Sequence, residues 1–274
     1  MKSQIAGLAP TSSSPVLRET IDGIAVLTLD APKTRNALSE AMIAGLQGEL
    51  DSIRDDKSIR AVVIAASGKV YSSGHHLKEL TARRADPDRG RAYFAHMMTA
   101  CSTMMQTIVH LPKPVVAAVQ GVATAAGCQL VATCDLAVAS EQATFATPGI
   151  DIGLFCSTPM VALTRNIPRK QAMHMLLTGE PISAQRALEL GLVNSVVPAG
   201  LERATAIELA KKIALKSAYT LKIGKEAFYR QADMTLADAY TYTAQVMAEN
   251  MMARDAEEGI GAFIDKRAPK WEDC

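Results

Sequence analysis

The sequence of 274 residues lacks any apolar run long enough to cross a bilayer, which needs about 20 consecutive apolar residues. Residues 1–20 also lack the apolar core of about 7 to 15 residues found in secretory signals, and they are too poor in arginine for a good transit peptide. The sequence therefore predicts no membrane span and a flexible tail over residues 1–15.

Paired cysteines are missing as well. The five cysteines are scattered, without a Cys-x-x-Cys pair: Cys101, Cys128, Cys134, Cys156 and Cys274. Such a set is typical of a reducing compartment, where cysteines serve as small core residues, and we expect a cytoplasmic location. No histidine, cysteine and aspartate cluster has metal-ligand spacing, so we expect no metal site.

An excess of one charge is also absent. The chain has 29 lysines and arginines against 28 aspartates and glutamates, a net charge of +1. It therefore produces no general field for nucleic acids or anionic membranes, and we expect no nucleic-acid partner. A hydrophobic content of 49% with 21% charged residues is typical of a globular protein with a full core.

Short β-rich runs alternate with helical patterns over residues 16–200. The runs GIAVLTLD, AVVIAAS, KPVVAAVQG and LAVAS predict buried strands, whereas AMIAGLQGELDSIRDD and RAYFAHMMTACSTMMQTIVHL predict helices. This alternation indicates an α/β fold. Residues 201–274 show only helical patterns, and their many apolar stripes favour burial against neighbouring subunits.

Two strand-to-helix loops are candidates for chemistry. Residues 66–80 read ASGKVYSSGHHLKEL, in which Gly74 can take the positive φ that turns amides toward one point. The second loop reads QGVATAAGCQL, with a helix beginning at about Ala126. Two such loops facing each other would hold an oxyanion between backbone donors. The alternative is two ordinary connections.

Six segments spread over nearly the whole chain resemble the crotonase superfamily, the enoyl-CoA hydratase/isomerase fold. They are PKTRNALS, ASGKVYSSGHHLKEL, KPVVAAVQGVATAAGCQLVATCDLAVAS, TFATPGIDIGL, TGEPISAQRALELGLVNSVV and EGIGAFIDKR. ATPGIDIGLFCSTPMVAL and KRAPKW resemble one branch in particular. The resemblance implies an α/β, ClpP/crotonase-like spiral of ββα turns over residues 16–200, with a C-terminal all-helical trimerisation segment over residues 201–274. The implied assembly is a homotrimer or a dimer of trimers.

The resemblance also implies a site for acyl-CoA thioesters and a role in fatty-acid or acyl-CoA metabolism. The backbone amides of His75 and Ala126 correspond to the oxyanion hole that polarises the thioester carbonyl. Coenzyme A would enter only as part of the substrate, and no tightly bound cofactor is expected. The positions that correspond to coenzyme A contacts are His75, His76, Leu77, Lys78, Phe263 and Lys266, the last two reaching a neighbouring subunit's nucleotide.

The chain departs from the superfamily pattern at both catalytic glutamates. The first falls on Gln129, which binds a water but cannot take its proton near pH 7, and the second falls on Gly149, which has no side chain. A positioned acid–base group typically contributes about 10²- to 10⁴-fold in rate, so hydratase activity is doubtful. Three interpretations remain: weak or altered lyase or isomerase chemistry, acyl-CoA binding without turnover, and a protein-interaction role.

Replacement acid–base groups are few. On an extended segment Asp151 would point the same way as residue 149, although a turn or capping role is the alternative. The side chains of His75 and His76 are candidate bases, with ligand contact or exposure as the alternative. The remaining candidates are interpreted as pocket lining (Cys128, Cys156, Ser157), as structural histidines (His96, His110, His174), or as a methionine-rich helix that forms either core or acyl pocket (Met97, Met98, Met104, Met105). The region corresponding to the RNA-binding helix of some relatives, AGLQGELDSIRDDKSIR, is mixed in charge, which argues against RNA binding.

Overall fold

The strands form two sheets in a computed structural model that describes residues 14–274, so most of the predicted tail lies outside the described residues. In chain order the strands are β1 (Val16–Ile21), β2 (Ile24–Leu29), β3 (Ala61–Ala66), β4 (Val70–Ser72), β5 (Val115–Val119), β6 (Val122–Thr124), β7 (Leu136–Ser140), β8 (Thr144–Ala146), β9 (Ile182–Ser183) and β10 (Ser195–Val197). The larger sheet has the order β1-β2-β3-β5-β7-β10, and the smaller one has the order β4-β6-β8-β9.

Helices connect and cover these sheets. They are α1 (Glu40–Arg54), α2 (Leu77–Ala82), α3 (Arg91–His110), α4 (Ala126–Thr133), α5 (Ser157–Asn166), α6 (Arg169–Thr178), α7 (Ala184–Leu190), α8 (Glu202–Ala214), α9 (Ala218–Gln231), α10 (Leu236–Met251) and α11 (Arg254–Ile264). In each of the successive pairs β3–β4, β5–β6 and β7–β8, the first strand lies in the larger sheet and the second in the smaller one, and a helix follows. This is the predicted spiral of ββα turns, and the fold class is confirmed.

The large sheet is buried on both faces, which explains why its central strands are continuously apolar. Apart from the antiparallel β1–β2 pair, its strands are parallel. One face carries the main core, to which α1 and α3 contribute their apolar stripes. The other face is covered by α8 through Ala206, Ile207 and Ala210. A parallel sheet covered in this way needs no alternation of polar and apolar residues.

The methionine-rich helix α3 belongs to the core. Met97, Met104 and Met105 are buried there, and Met98 packs against the same cluster. Of the two interpretations of this helix, the structure therefore favours core over acyl pocket.

Only helices follow β10 in the described chain, and they fall into two groups. Whereas α8 packs on the sheet, α10 buries none of its side chains, and α9 buries only Ala227. Large apolar side chains remain exposed on α9–α11 and the turns between them: Phe228, Leu236, Tyr240, Met247, Met251, Met252, Ile260, Phe263 and Ile264. Helices α9–α11 therefore have little core of their own.

A largely buried ion pair joins α9 to the rest of the fold, with the Lys225 and Asp135 side chains 9% and 15% exposed. Lys225 Nζ donates to Asp135 Oδ2 at 2.7 Å, and Tyr229 Oη donates to Asp135 Oδ1 at 2.8 Å. Lys225 Nζ also donates to the carbonyls of Ile108 and Lys113, at 2.9 and 3.0 Å. Burial lowers the pKa of Lys225, and the Asp135 carboxylate opposes that shift. Since Asp135 follows α4 directly, this pair joins the C-terminal helices to α4.

No helix within residues 14–274 is both long and apolar enough to cross a membrane. In the same part of the chain, no three histidine, cysteine, aspartate or glutamate side chains are grouped so as to hold a metal ion.

We predict that Lys225→Met lowers the free energy of unfolding by about 3–5 kcal/mol, because it leaves a buried carboxylate without its cation. Urea denaturation followed by circular dichroism measures this loss. Lys211→Met is the matched control, since Lys211 pairs with the exposed Asp22, and it should change stability by less than about 1 kcal/mol. Equal midpoints for both variants would contradict the prediction.

Candidate functional site

The first loop runs from β4 to α2 and is held against the segment before α1. The Leu38 amide donates to the Gly74 carbonyl at 2.8 Å, and Leu38 and His75 form a parallel bridge. Gly74 has φ of +82°, a conformation that residues with a Cβ rarely adopt. The chain therefore turns sharply at Gly74, immediately before the His75 amide.

The second loop runs from β6 to α4 and contains a strained residue. Ala125 has φ of 50° and ψ of −119°, which for a non-glycine residue costs on the order of 1–3 kcal/mol. Its amide donates to the Ala146 carbonyl at 2.9 Å, which anchors the loop to β8. Helix α4 then begins at Ala126, as predicted, so the Ala126 amide lies in its first turn, where amides have no partner within the helix.

The two loops touch through backbone atoms. A methyl group in place of the Gly74 hydrogen would lie 2.9 Å from Ala125 Cβ and 3.1 Å from the Ala126 nitrogen. One on Gly127 would lie 2.3 Å from the Ser72 carbonyl oxygen. Glycine is therefore required at both positions, because the two loops lie too close together for a side chain.

The amides of His75 and Ala126 lie on the two loops where these come into contact. Within residues 14–274, neither amide donates a hydrogen bond to another part of the chain. The Ala126 amide also lies at the positive end of the α4 dipole, which favours an anion there. The predicted contact between the two loops is therefore present, while their role as an oxyanion hole stays a prediction.

Gln129 occupies the first turn of α4, close to this pair of amides. It is only 5% exposed, and its Oε1 is buried without a hydrogen-bond partner in the described chain. A buried acceptor left unpaired costs about 1–3 kcal/mol, so this oxygen requires a donor from water or a ligand. A carboxamide accepts a hydrogen bond but does not take a proton near neutral pH.

The space beside Gly149 is filled by other residues, so a longer side chain would not fit there without a shift. A methyl group on Gly149 would lie 2.5 Å from the Leu154 carbonyl oxygen and 2.8 Å from Cys156 Sγ. Burial raises the pKa of the Cys156 thiol, and the Gly149 amide partly offsets that shift. Burial and the nearby Cys156 raise the pKa of Cys128 to about 12. Both thiols therefore stay protonated at neutral pH. Cys128 belongs to the hydrophobic core and does not line a pocket.

The premise for Asp151 as an acid–base group was wrong. Residues Pro148–Ile152 form a 3₁₀ helix, in which about three residues complete a turn, so residues 149 and 151 do not point the same way. Asp151 is exposed, and its Oδ2 lies 3.0 Å from where a Gly179 methyl would stand. Its carboxylate thus faces the end of α6, and the geometry gives a catalytic role no support.

The two neighbouring histidines have different surroundings. His75 Nδ1 lies 3.3 Å from the Leu38 carbonyl oxygen, while Nε2 is buried without a partner in residues 14–274. Burial lowers the pKa of His75, with the Leu38 carbonyl and Glu79 opposing the shift. His76 caps α2, since its Nδ1 accepts the Glu79 amide at 3.2 Å. The neutral His75 ring is therefore part of the loop's support.

The positions expected along the coenzyme A path are surface positions. Leu77 and Lys78 are exposed on α2, and Phe263 and Lys266 are exposed at the end of α11. Ser157 is exposed at the start of α5, and the other three histidines considered, His96, His110 and His174, are exposed on helices.

Two residues at this site escaped the sequence analysis. Asn36 is fully buried, and its side chain binds the Ala31 amide and the carbonyls of Ser67 and Val70. Ser72 is also fully buried and lies between the two loops. Nothing in the sequence distinguishes either residue from an ordinary loop or strand residue, because their partners are distant along the chain.

A family model described as enoyl-CoA hydratase/isomerase matches residues 19–274. The chain belongs to the enoyl-CoA hydratase/isomerase family. An enoyl-CoA hydratase structure from Mycobacterium smegmatis is 47% identical, with a TM-score of 0.89 over 94% of this chain and 98% of that one. The fold expected from the resemblance is therefore confirmed.

The branch suggested by ATPGIDIGLFCSTPMVAL and KRAPKW is enoyl-CoA hydratase domain-containing protein 3. The human protein of that name is 47% identical over 97% of this chain and 86% of its own length. The human crystal structure is 48% identical, with a TM-score of 0.89 over 94% of this chain and all of that one (100%). The resemblance to this branch is confirmed.

The expectation of a cytoplasmic location is contradicted by the relatives. The human protein and its mouse and rat counterparts, 47 to 48% identical, are all named mitochondrial. The expectation was based on unpaired cysteines, which indicate a reducing environment. That property does not distinguish one reducing compartment from another.

We predict that Gly149→Ala lowers the free energy of unfolding by about 1–3 kcal/mol, because the new methyl overlaps Leu154 and Cys156. Thermal and urea unfolding measure the change. Gly48→Ala is the control, since no atom of the described chain lies within 4 Å of the added methyl, and in α1 it should stabilise the protein by about 1 kcal/mol. A Gly149→Ala protein as stable as the wild type would contradict the prediction, because it would mean that Leu154 and Cys156 move aside at no cost.

Proposed function

We propose that this protein binds acyl-CoA thioesters with the carbonyl oxygen between the His75 and Ala126 amides, and that it hydrates enoyl thioesters poorly. The observation that carries the proposal is the contact between the two loops, which brings together two amides without partners in the described chain. Family membership supports the thioester as ligand. Activity on the bound thioester is then weak or altered acyl-CoA chemistry, through an enolate held by the two amides.

Thioester binding does not depend on the substituted side chains. Both donors are backbone amides, and their placement follows from Gly74, Ala125 and Gly127. Donors fixed in this way stabilise negative charge on the oxygen without reorganising. The loss of two glutamates therefore leaves this part of the site intact.

Hydration, by contrast, depends on a group that takes a proton from water. Gln129 does not do this, and the space beside Gly149 holds Leu154 and Cys156 instead of a carboxylate. Hydration is therefore hindered by more than two absent side chains, because Leu154 and Cys156 leave no room for a carboxylate side chain at residue 149. Each positioned acid–base group is worth about 10²- to 10⁴-fold.

The rest of the ligand would follow two half-buried histidines and then exposed positions. His75, His76, Leu77 and Lys78 would lie along coenzyme A, and Phe263 with Lys266 would cover the nucleotide bound to a neighbouring subunit. Coenzyme A is part of the substrate in this proposal, and acyl-CoA metabolism is its setting. The names of the relatives support a mitochondrial location.

We predict that the wild-type protein binds butyryl-CoA but hydrates crotonyl-CoA at least about 100-fold more slowly than a site with its acid–base group in place. Calorimetry measures binding, and loss of the conjugated-enoyl absorbance measures hydration. Gln129→Glu should increase hydration, because it restores one carboxylate, whereas Gln129→Met should not. Fast wild-type hydration would contradict our assignment of the missing groups, and absence of butyryl-CoA binding would contradict the site.

Exchange of the thioester α-protons with D₂O separates the remaining alternatives. Exchange catalysed by the wild-type protein would mean that the bound thioester forms an enolate. Binding without exchange would favour the second candidate, a non-catalytic acyl-CoA-binding or protein-interaction role, which the unpaired Gln129 carboxamide permits.

We also propose a homotrimer or a dimer of trimers. Two separate apolar surfaces are exposed, one on α9–α11 and one that runs from Ile152 and Leu154 to Met173 and Leu177 on α6. Two different surfaces suit a head-to-tail ring, in which one surface of each subunit meets the other surface of the next.

Light scattering should therefore give a mass that is a multiple of three subunits. We predict that Met252→Glu, which places a charge on the α9–α11 surface, shifts the protein toward monomer. Leu201→Glu is the control, because Leu201 is exposed outside that surface and should leave the mass unchanged. A monomeric wild type would overturn the proposed assembly.

A further inference from the structure

Ser72, at the end of β4, joins three backbone segments. Its Oγ donates to the Asn36 carbonyl at 2.8 Å and accepts the Gly74 amide at 3.3 Å. Ser72 is fully buried, and so is Asn36. The hydroxyl therefore ties the segment before α1 to the turn that precedes the His75 amide.

The backbone of the same residue supports the second loop. The position of a Gly127 methyl lies 2.3 Å from the Ser72 carbonyl oxygen and 2.8 Å from Ser72 Cβ, so Gly127 packs directly on Ser72. Gly127 follows Ala126 in the first turn of α4. Ser72 thus contacts a neighbour of each proposed oxyanion donor, Gly74 beside His75 and Gly127 beside Ala126.

Asn36 makes this connection rigid. It has φ of 50°, and its carboxamide makes three hydrogen bonds, to the Ala31 amide and to the carbonyls of Ser67 and Val70, all at 2.8 Å. Its carbonyl is therefore a fixed acceptor for the Ser72 hydroxyl. Because the Ser72 hydroxyl is oriented by the Asn36 carbonyl, its oxygen is fixed as the acceptor for the Gly74 amide.

We propose that Ser72 is a positioning residue that sets the separation of the His75 and Ala126 amides, and with it the preference of the site for a thioester carbonyl. The inference rests on the proposed function. Ser72 does not touch the ligand in this proposal. It acts through Gly74 and Gly127, whose backbone it holds in register.

Ser72→Ala tests the role of the hydroxyl, because it leaves the backbone contact with Gly127 in place. The Asn36 carbonyl and the Gly74 amide would then both lose a buried partner, and the first loop would gain freedom to shift. A displacement of one donor weakens a two-donor site more than it weakens contacts made elsewhere along the ligand. We therefore expect a selective effect on the thioester carbonyl.

The experiment compares two ligands by calorimetry: butyryl-CoA, and its S-butyl thioether analogue, which lacks the carbonyl oxygen. The wild type should prefer the thioester, and Ser72→Ala should reduce that preference about tenfold, with the thioether dissociation constant unchanged. Ser140→Ala is the matched control, since Ser140 is a buried strand serine whose Oγ, among residues 14–274, accepts only the Gln142 amide. It should keep the wild-type preference.

The carbonyl stretch of ¹³C-labelled butyryl-CoA gives a second readout that general destabilisation does not move. It should shift to lower frequency on binding to the wild type, and shift less with Ser72→Ala. Ser72→Cys, which keeps a weaker donor and acceptor, should give an intermediate shift and provides a measurement if the alanine variant folds poorly.

An unchanged preference in Ser72→Ala, or an equal loss of affinity for both ligands, would overturn the positioning role while leaving the proposed function in place. If the wild type binds the two ligands equally well and shows no carbonyl shift, the oxyanion hole itself is absent, and the proposed function fails together with this inference.

Discussion

The site depends on one constraint, the direct contact of two backbone loops that no side chain separates. Gly74 lies against Ala125 and Ala126, and Gly127 lies against Ser72. Any Cβ at either glycine would meet backbone atoms that cannot move without shifting a strand or a helix. The strained backbone of Ala125 is part of the same arrangement, because the turn at Ala125 brings the start of α4 against the first loop. The fold supplies the stiffness for this contact through the two sheets, each of which carries one strand of the pairs β3–β4, β5–β6 and β7–β8.

In the proposed function, that constraint separates thioester binding from hydration. Holding a thioester oxygen needs only amides, and their positions are set by backbone packing. Moving a proton to or from water needs an ionisable side chain, and the first position carries a carboxamide. The second position is closed by the Leu154 carbonyl and the Cys156 thiol, so the packing there has adapted to glycine. In the proposed function, the chain therefore keeps the backbone part of the site and lacks the part that depends on single side chains.

The C-terminal helices are joined to the same region through α4. Asp135, which follows α4, receives Lys225 and Tyr229 from α9, whereas α10 buries no side chain within its own subunit. The C-terminal end of α4, whose first turn carries Ala126, is therefore joined to a segment that exposes many apolar side chains. An assembly that covers α9–α11 would stabilise this anchor and α4 together.

The sequence by itself determined the fold class, the family and the identity of the loops, because periodic apolar runs and motifs of adjacent residues are local properties of the chain. It also placed the turn at Gly74 and the start of α4 at Ala126, whereas the assignment of Gln129 and Gly149 to two lost carboxylates stays a prediction. Only the tertiary structure decided that Asp151 turns toward Gly179, that Cys156 and Leu154 fill the space beside Gly149, and that Asn36 and Ser72 support the first loop. Each of these depends on contacts between residues brought together by the spiral, or on the short 3₁₀ helix Pro148–Ile152, where the sequence analysis assumed an extended segment. Side-chain direction and the filling of space are set by such packing, which a periodic pattern does not encode.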